Sequence, residues 1–98
     1  MKDKDKKVKT AKQLERYFKG VANHRRIEIL YLIAEQEGIT LDGIAGILNC
    51  NFKTASEHTR RLVQAGLVKK EYQGRWVVHF LTPYGKRFLE FIKTFQHS

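Results

Sequence analysis

Residues 51–82 read NFKTASEHTRRLVQAGLVKKEYQGRWVVHFLT, and the period of the pattern changes part-way along. From Phe52 to about Ala65 the spacing is helical: Phe52, Ala55, Thr59 and Leu62 fall on one face, with Asn51 ahead as N-cap and Gly66 behind as a stop. After Gly66 come two runs rich in Val, Trp, Phe and Tyr, LVKKEY and RWVVHFLT, which read as strands. They flank Gln73-Gly74, where the glycine can supply the positive φ of a tight turn. A helix followed at once by a hairpin is the second half of a winged helix-turn-helix, so the first half is expected directly upstream.

Working outward, Asn49-Cys50-Asn51 breaks a short helical pattern that Thr40 can cap and that carries Leu41, Ile44, Ile47 and Leu48. Asp42 stands favourably near its positive N-terminal end. Before it, Asn23 is placed to cap a segment, IEILYLIA, that is apolar nearly all round, which predicts a central buried helix closed by Gly38. A first helix begins near Thr10, with Leu14, Tyr17, Phe18 and Val21 in one stripe. Beyond the hairpin, Pro83 suits the first turn of a last helix lined by Tyr84, Phe88, Phe91, Ile92 and Phe95. The order is α-α-α-α-β-β-α: a mainly α fold with a small antiparallel β-hairpin, a single winged-helix domain over residues 10–98. Residues 1–9, MKDKDKKVK, cannot bury enough apolar surface to offset ordering and read as a disordered basic tail.

Composition narrows the function. With 98 residues, 42% of them hydrophobic, the chain supports one small core. Its longest unbroken apolar run, residues 29–34, is far short of a membrane span, and no signal peptide is readable. A single cysteine excludes an intramolecular disulfide and fits a reducing cytosol, so a cytoplasmic prokaryotic protein is expected. Nineteen Lys and Arg against ten Asp and Glu give a net charge of +9, which favours an anionic partner.

The outward face of the fourth helix offers the chemistry for such a partner. With its apolar stripe inward, Lys53, Ser56, Glu57 and Arg60 point away, flanked by Thr54, His58 and Arg61. A helix of this length, roughly 22 Å, fits lengthwise in the major groove of double-stranded DNA. Lys53, Thr54, Ser56, Glu57 and His58 near its start can reach base edges, with Asn51 beside them in the DNA-binding set, while Arg60, Arg61 and the turn residue Arg75 can hold phosphates. A solvated helix face would also carry charge, but here charge, periodicity and the following hairpin agree. No Ser-His-Asp, Cys-His or paired-carboxylate spacing, no HExxH and no glycine-rich phosphate loop occurs, so no enzyme and no cofactor are expected. His24 reads as a surface residue and His79 as a packed one.

The segments VANHRRIEIL, LDGIAGIL and KTASEHTRRLVQAGLVKKEYQGRWVVHFLT resemble the winged-helix domain of ArsR-type transcriptional repressors. Ala22, Arg26, Ile29 and Leu30 match the opening of that family's second helix. Ser56, His58, Leu62, Ala65, Gly66, Leu67, Val68, Gly74 and Arg75 match its recognition helix and wing. Thr59 stands where the family usually has Leu, which implies looser packing there. The resemblance implies a homodimer joined through the first and last helices, at Leu14, Tyr17, Phe18, Phe88, Phe91, Ile92 and Phe95. The aromatic run of the last helix supports this independently, because an exposed apolar stripe marks an interface. Many family members sense metals. Here no cysteine lies in Leu41–Leu48, Glu90 and His97 have no partner ligands, and Cys50 occupies an apolar core position, so no metal site is expected. Trp76, Val78 and Phe80 alternate with Val77, His79 and Leu81, so both faces of the second strand are apolar. The rival readings are a winged helix used as a protein-interaction module, and a non-specific, chromatin-like nucleic-acid-binding protein.

Overall fold

A computed structural model describes residues 8–97 of the chain. The elements run α1 (Ala11–Val21), α2 (His24–Glu35), α3 (Leu41–Leu48), α4 (Phe52–Gln64), β1 (Val68–Gln73), β2 (Trp76–Leu81) and α5 (Pro83–Lys93), the expected winged helix-turn-helix order. Most of the expected basic tail, residues 1–7, lies outside the described residues, and Val8 to Thr10 are exposed without regular structure.

Each helix starts at a side-chain cap. Thr10 and Gln13 form a reciprocal capping box. Asn23 accepts from the amides of Arg25 and Arg26, Thr40 from Gly43, Asn51 from Thr54 and Thr82 from Gly85. These are the residue types whose short side chains satisfy orphan N–H groups at helix starts. Asn49 closes α3 in the left-handed conformation (φ 53°), which Asn tolerates better than most residues, and so turns the chain into α4.

The core is built around α2, whose Ile29, Leu30, Leu32 and Ile33 are buried. Tyr17 and Val21 of α1, Ile44 of α3, Ala55 and Leu62 of α4, Leu67 and Val68, Leu81 and Leu89 complete one cluster. The hairpin pairs Val68 with Leu81 through to Gln73 with Trp76. The connecting residues are therefore Gly74-Arg75, one residue later than the sequence suggests. Gly74 takes positive φ (63°) as the first of the two, the glycine-first pattern of a type II′ turn. On its other edge β2 meets Ile39 in a single bridge to His79, too short a pairing for any periodicity to announce. That bridge explains the double-sided burial of β2: Val78, His79 and Leu81 are buried while Trp76 at the tip is exposed.

Several sequence expectations are corrected. The stripe of α3 runs through Leu41, Ile44, Ala45 and Leu48, which leaves Ile47 half-exposed at its edge. Phe52 is the first residue of α4, beyond the cover of the core, and is exposed. Helix α2 ends at Glu35 with Gln36 as its cap, so Gly38 (φ 91°) serves the following turn instead. Phe95 and His97 lie past the end of α5, in turns.

His79 is buried, and its Nδ1 lies 2.9 Å from the Ile39 carbonyl, which makes Nδ1–H the donor. Burial first, then the charge of Lys70, lowers its pKa despite the Ile39 hydrogen bond. Burial and the Arg26 charge lower that of His58 likewise. Both rings stay neutral in the folded chain at pH values where the unfolded chain, titrating near ~6.5, already binds a proton. Stability is therefore full above that value and falls as pH drops below it. Denaturant midpoints measured between about pH 7.5 and 5 should decline with acidification, and His79→Gln should flatten the decline. A midpoint independent of pH in the wild type would contradict this.

Candidate nucleic-acid interface

Helix α4 is held by three buried residues, Ala55, Thr59 and Leu62, spaced four and three apart. That anchoring turns Lys53 and Arg60 to solvent and leaves Ser56 and Glu57 half-exposed between them. Glu57 is the hub of this face. Its carboxylate accepts from Arg60 Nη2 at 2.8 Å and from Arg61 Nε at 3.0 Å. The hydrogen bonds from the two arginines hold its carboxyl below the usual carboxylate range. The pair is thereby pre-ordered as one bidentate cationic unit, its chains aligned before any anion arrives.

The remaining predicted residues divide. Asn51 is exposed, but its Oδ1 accepts from the Thr54 amide at 2.7 Å, so its side chain also serves the helix start. Thr54 is half-buried. His58 is turned away from the outward face: its Nδ1 accepts from Arg26 Nε at 3.2 Å, which ties α4 to α2. Arg75 is exposed at the hairpin tip with its guanidinium 5.5 Å from the Trp76 ring centre. Between α4 and the hairpin lies a cleft of about 190 Å³, with Ser56 and Arg60 on one wall and Lys70 and Tyr72 on the other. Nothing in the sequence marks Lys70 and Tyr72, because β1 buries only Val68 and shows no alternation of buried and exposed residues.

Arg26 likewise has a role that its position in the sequence does not announce. Besides His58 it donates through Nη1 to the carbonyls of Lys19 and Gly20, the end of α1. One guanidinium thus fixes α1 and α4 to α2. Among the described residues no group of three or more His, Cys, Asp or Glu side chains converges as a metal would require, and Cys50 is half-buried.

The residues expected at a subunit interface also divide. Tyr17 belongs to the chain's own core, 7% exposed, because it packs against Tyr84 and Phe88. Leu14, Phe18, Phe91 and Phe95 are 43–63% exposed, while Phe88 and Ile92 are half-buried beside them. Phe18, Phe88, Phe91 and Phe95 form an unbroken series of edge-to-face ring contacts, 5.1 to 6.4 Å between centres. Among the described residues no helix is long and apolar enough to cross a membrane.

The MarR family profile matches residues 22–72, a little over half of the chain, spanning α2 to β1. The arsenical resistance operon repressor of Bacillus subtilis is 27% identical over 70 residues, 71% of this chain and 67% of that protein. A homodimeric winged helix-turn-helix DNA-binding domain from Mycobacterium bovis, described as a possible ArsR-family transcriptional regulator, superposes with a TM-score of 0.76 at 28% identity. That match covers 85% of this chain and 77% of the other. HlyU from Vibrio cholerae (TM-score 0.77, 20% identity, 90% of this chain and 93% of the other) shares the fold.

Thr59 offers a clean test of how α4 is anchored. Its Oγ1 is buried without a hydrogen-bond partner among the described residues. An orphaned buried hydroxyl is destabilising, and Val has nearly the same shape without it. Thr59→Val should raise unfolding free energy by about 1 kcal/mol in urea titration. A loss of stability would mean that the hydroxyl has a partner after all.

Proposed function

The chain belongs to the MarR family, and from that premise we propose that it is a homodimeric, ArsR-like transcriptional repressor that reads double-stranded DNA with α4 and grips the adjacent backbone with Arg75 at the wing tip. The observation that carries the reading is the outward face of α4: Lys53 makes no ion pair among the described residues and Ser56 is half-exposed, next to an arginine pair that Glu57 holds ready. Lys53, Ser56 and Glu57 face base edges, and Arg60, Arg61 and Arg75 meet phosphates. Asn51 and Thr54 sit at the helix start, where the positive end of α4 adds to phosphate attraction. His58 acts through Arg26 as a positioning residue. The relative from Bacillus subtilis, named as a repressor, and the homodimeric domain from Mycobacterium bovis support both the regulatory role and the ArsR-like type. The protein binds rather than catalyses, and as a DNA-bound regulator it acts in the cytoplasm.

Base contacts set preference, whereas phosphate contacts add affinity with a salt signature. Ser56→Ala or Lys53→Ala should narrow the gap between a duplex selected from a random pool and random DNA, by about 1–3 kcal/mol where a bidentate base contact is lost. Arg75→Ala should weaken both duplexes alike and lower the log–log salt slope by about 1 per phosphate contact in each subunit. If Arg75→Ala changes preference and the helix variants do not, the roles of helix and wing are reversed.

The dimer is carried by Leu14, Phe18, Phe88, Phe91, Ile92 and Phe95. A sedimentation mass near twice 11.5 kDa is expected at micromolar concentration. Phe91→Glu, at an exposed position, should yield folded monomer by sedimentation and circular dichroism. A wild type that stays monomeric at that concentration refutes the interface.

A further inference from the structure

Beside the reading face lies a second basic surface that the recognition helix and wing do not include. A cleft of about 350 Å³ opens between α1, α2 and the C-terminal half of α4. Lys12, Arg16 and Lys19 line one wall, and Arg26 and Arg61 stand on α2 and α4. Glu15 is the single carboxylate among the lining residues, and it is paired with Lys19 at 2.9 Å. Lys19 is paired with Glu15 and Arg61 with Glu57, so Lys12, Arg16 and Arg26 bring to this space positive charge that no lining carboxylate matches among the described residues, and a bound anion would offset it.

We propose that this cleft seats the DNA backbone flanking the segment read by α4, an inference that rests on the DNA-binding reading given above. Three observations favour a polyanionic strand over a small anion. First, Lys12, Arg16 and Lys19 recur four and three residues apart on one face of α1, a row about 10 Å long at 1.5 Å per residue. One strand of a duplex advances about three phosphates over that length. Second, the cationic side chains are exposed or half-exposed and set in a line; the fully buried lining residues are Gly20 and Ala65, which offer no side-chain donor. A site for a small anion would need convergent, buried donors. Third, Arg61 belongs both to the cleft and to the Glu57-held pair, so the surface continues the face of α4 without a break. Arg26, fixed by the Lys19 and Gly20 carbonyls and by His58, makes no hydrogen bond through Nη2 among the described residues and holds the floor of the cleft at a set distance from α4.

The test uses the full chain with Lys12→Ala/Arg16→Ala, two exposed positions whose loss leaves the core intact, checked by thermal melting. Binding is measured at several salt concentrations to a duplex selected from a random pool, in a long form and in a form trimmed to the segment protected by α4 and the wing. On the long duplex the variant should bind about tenfold more weakly at low salt, with a log–log slope lower by about two per subunit. On the trimmed duplex it should match the wild type, and its preference for selected over random sequence should be unchanged. Equal affinity and slope on the long duplex, with the wild type still preferring selected DNA, would overturn the cleft's role and leave the reading of α4 standing. A wild type without preference for any duplex would overturn both. If titration with inorganic pyrophosphate shows wild-type binding that the variant loses, while long-duplex binding is untouched, the cleft is a small-anion site and the proposal fails.

Discussion

Helix α2 gives water only a narrow edge, and the remaining architecture follows from that. Leu30 and Ile33 are wholly buried and Ile29 nearly so, each contributing about 1.5–3 kcal/mol relative to exposure. An apolar face this wide must be covered from several sides, and α1, α3, α4, α5 and β2 all pack on it, while His24, Glu28 and Glu35 stay in solvent. The direction of α4, and so the direction in which Lys53 and Ser56 point, is set by how α4 packs on α2 together with α3, β1 and α1. In the first turn of α2, Arg26 binds the end of α1 and the side of α4 at once. The central helix thus carries both the apolar anchoring and the polar tie that orients the reading element.

Local rules were strong in this sequence wherever short-range chemistry decides. Thr10, Asn23, Thr40, Asn51 and Thr82 begin the helices because their side chains satisfy amides two or three residues on, a relation visible in the string itself. Pro83 and Gly74 spoke as clearly. What the string concealed was set by tertiary contact. Tyr17 and Phe18 are neighbours with the same apparent claim to an interface; only the packing of Tyr84 and Phe88 over one of them separates a core ring from an exposed one. Ile47 and Phe52 satisfy a helical period yet fall at the edge or the end of their stripes. The Ile39–His79 bridge is a single residue long and joins segments forty residues apart, so no window along the chain contains it. His58 lies on the sequence next to outward residues, and its turn toward Arg26 depends on a side chain thirty-two residues away.

Charge on this surface is arranged as much as it is abundant. Glu57 draws Arg60 and Arg61 together, which removes rotamer freedom from two long side chains before binding. It also means that a phosphate approaching either arginine competes with a carboxylate already in place. Lys53 has no such partner among the described residues. The face therefore contains one ready cation and one guarded pair within two turns of helix.

The hairpin tip has an optical consequence. The chain contains one tryptophan, and it is Trp76, half-exposed, paired across the turn with Gln73 and lying under the Arg75 guanidinium. Indole emission from this protein consequently comes from the wing tip and from nowhere in the core. Its colour registers the polarity around that tip, and its intensity registers the cation beside it. Spectra taken during unfolding track the peeling of the hairpin rather than the dissolution of α2, and the two become separable whenever circular dichroism is recorded on the same sample.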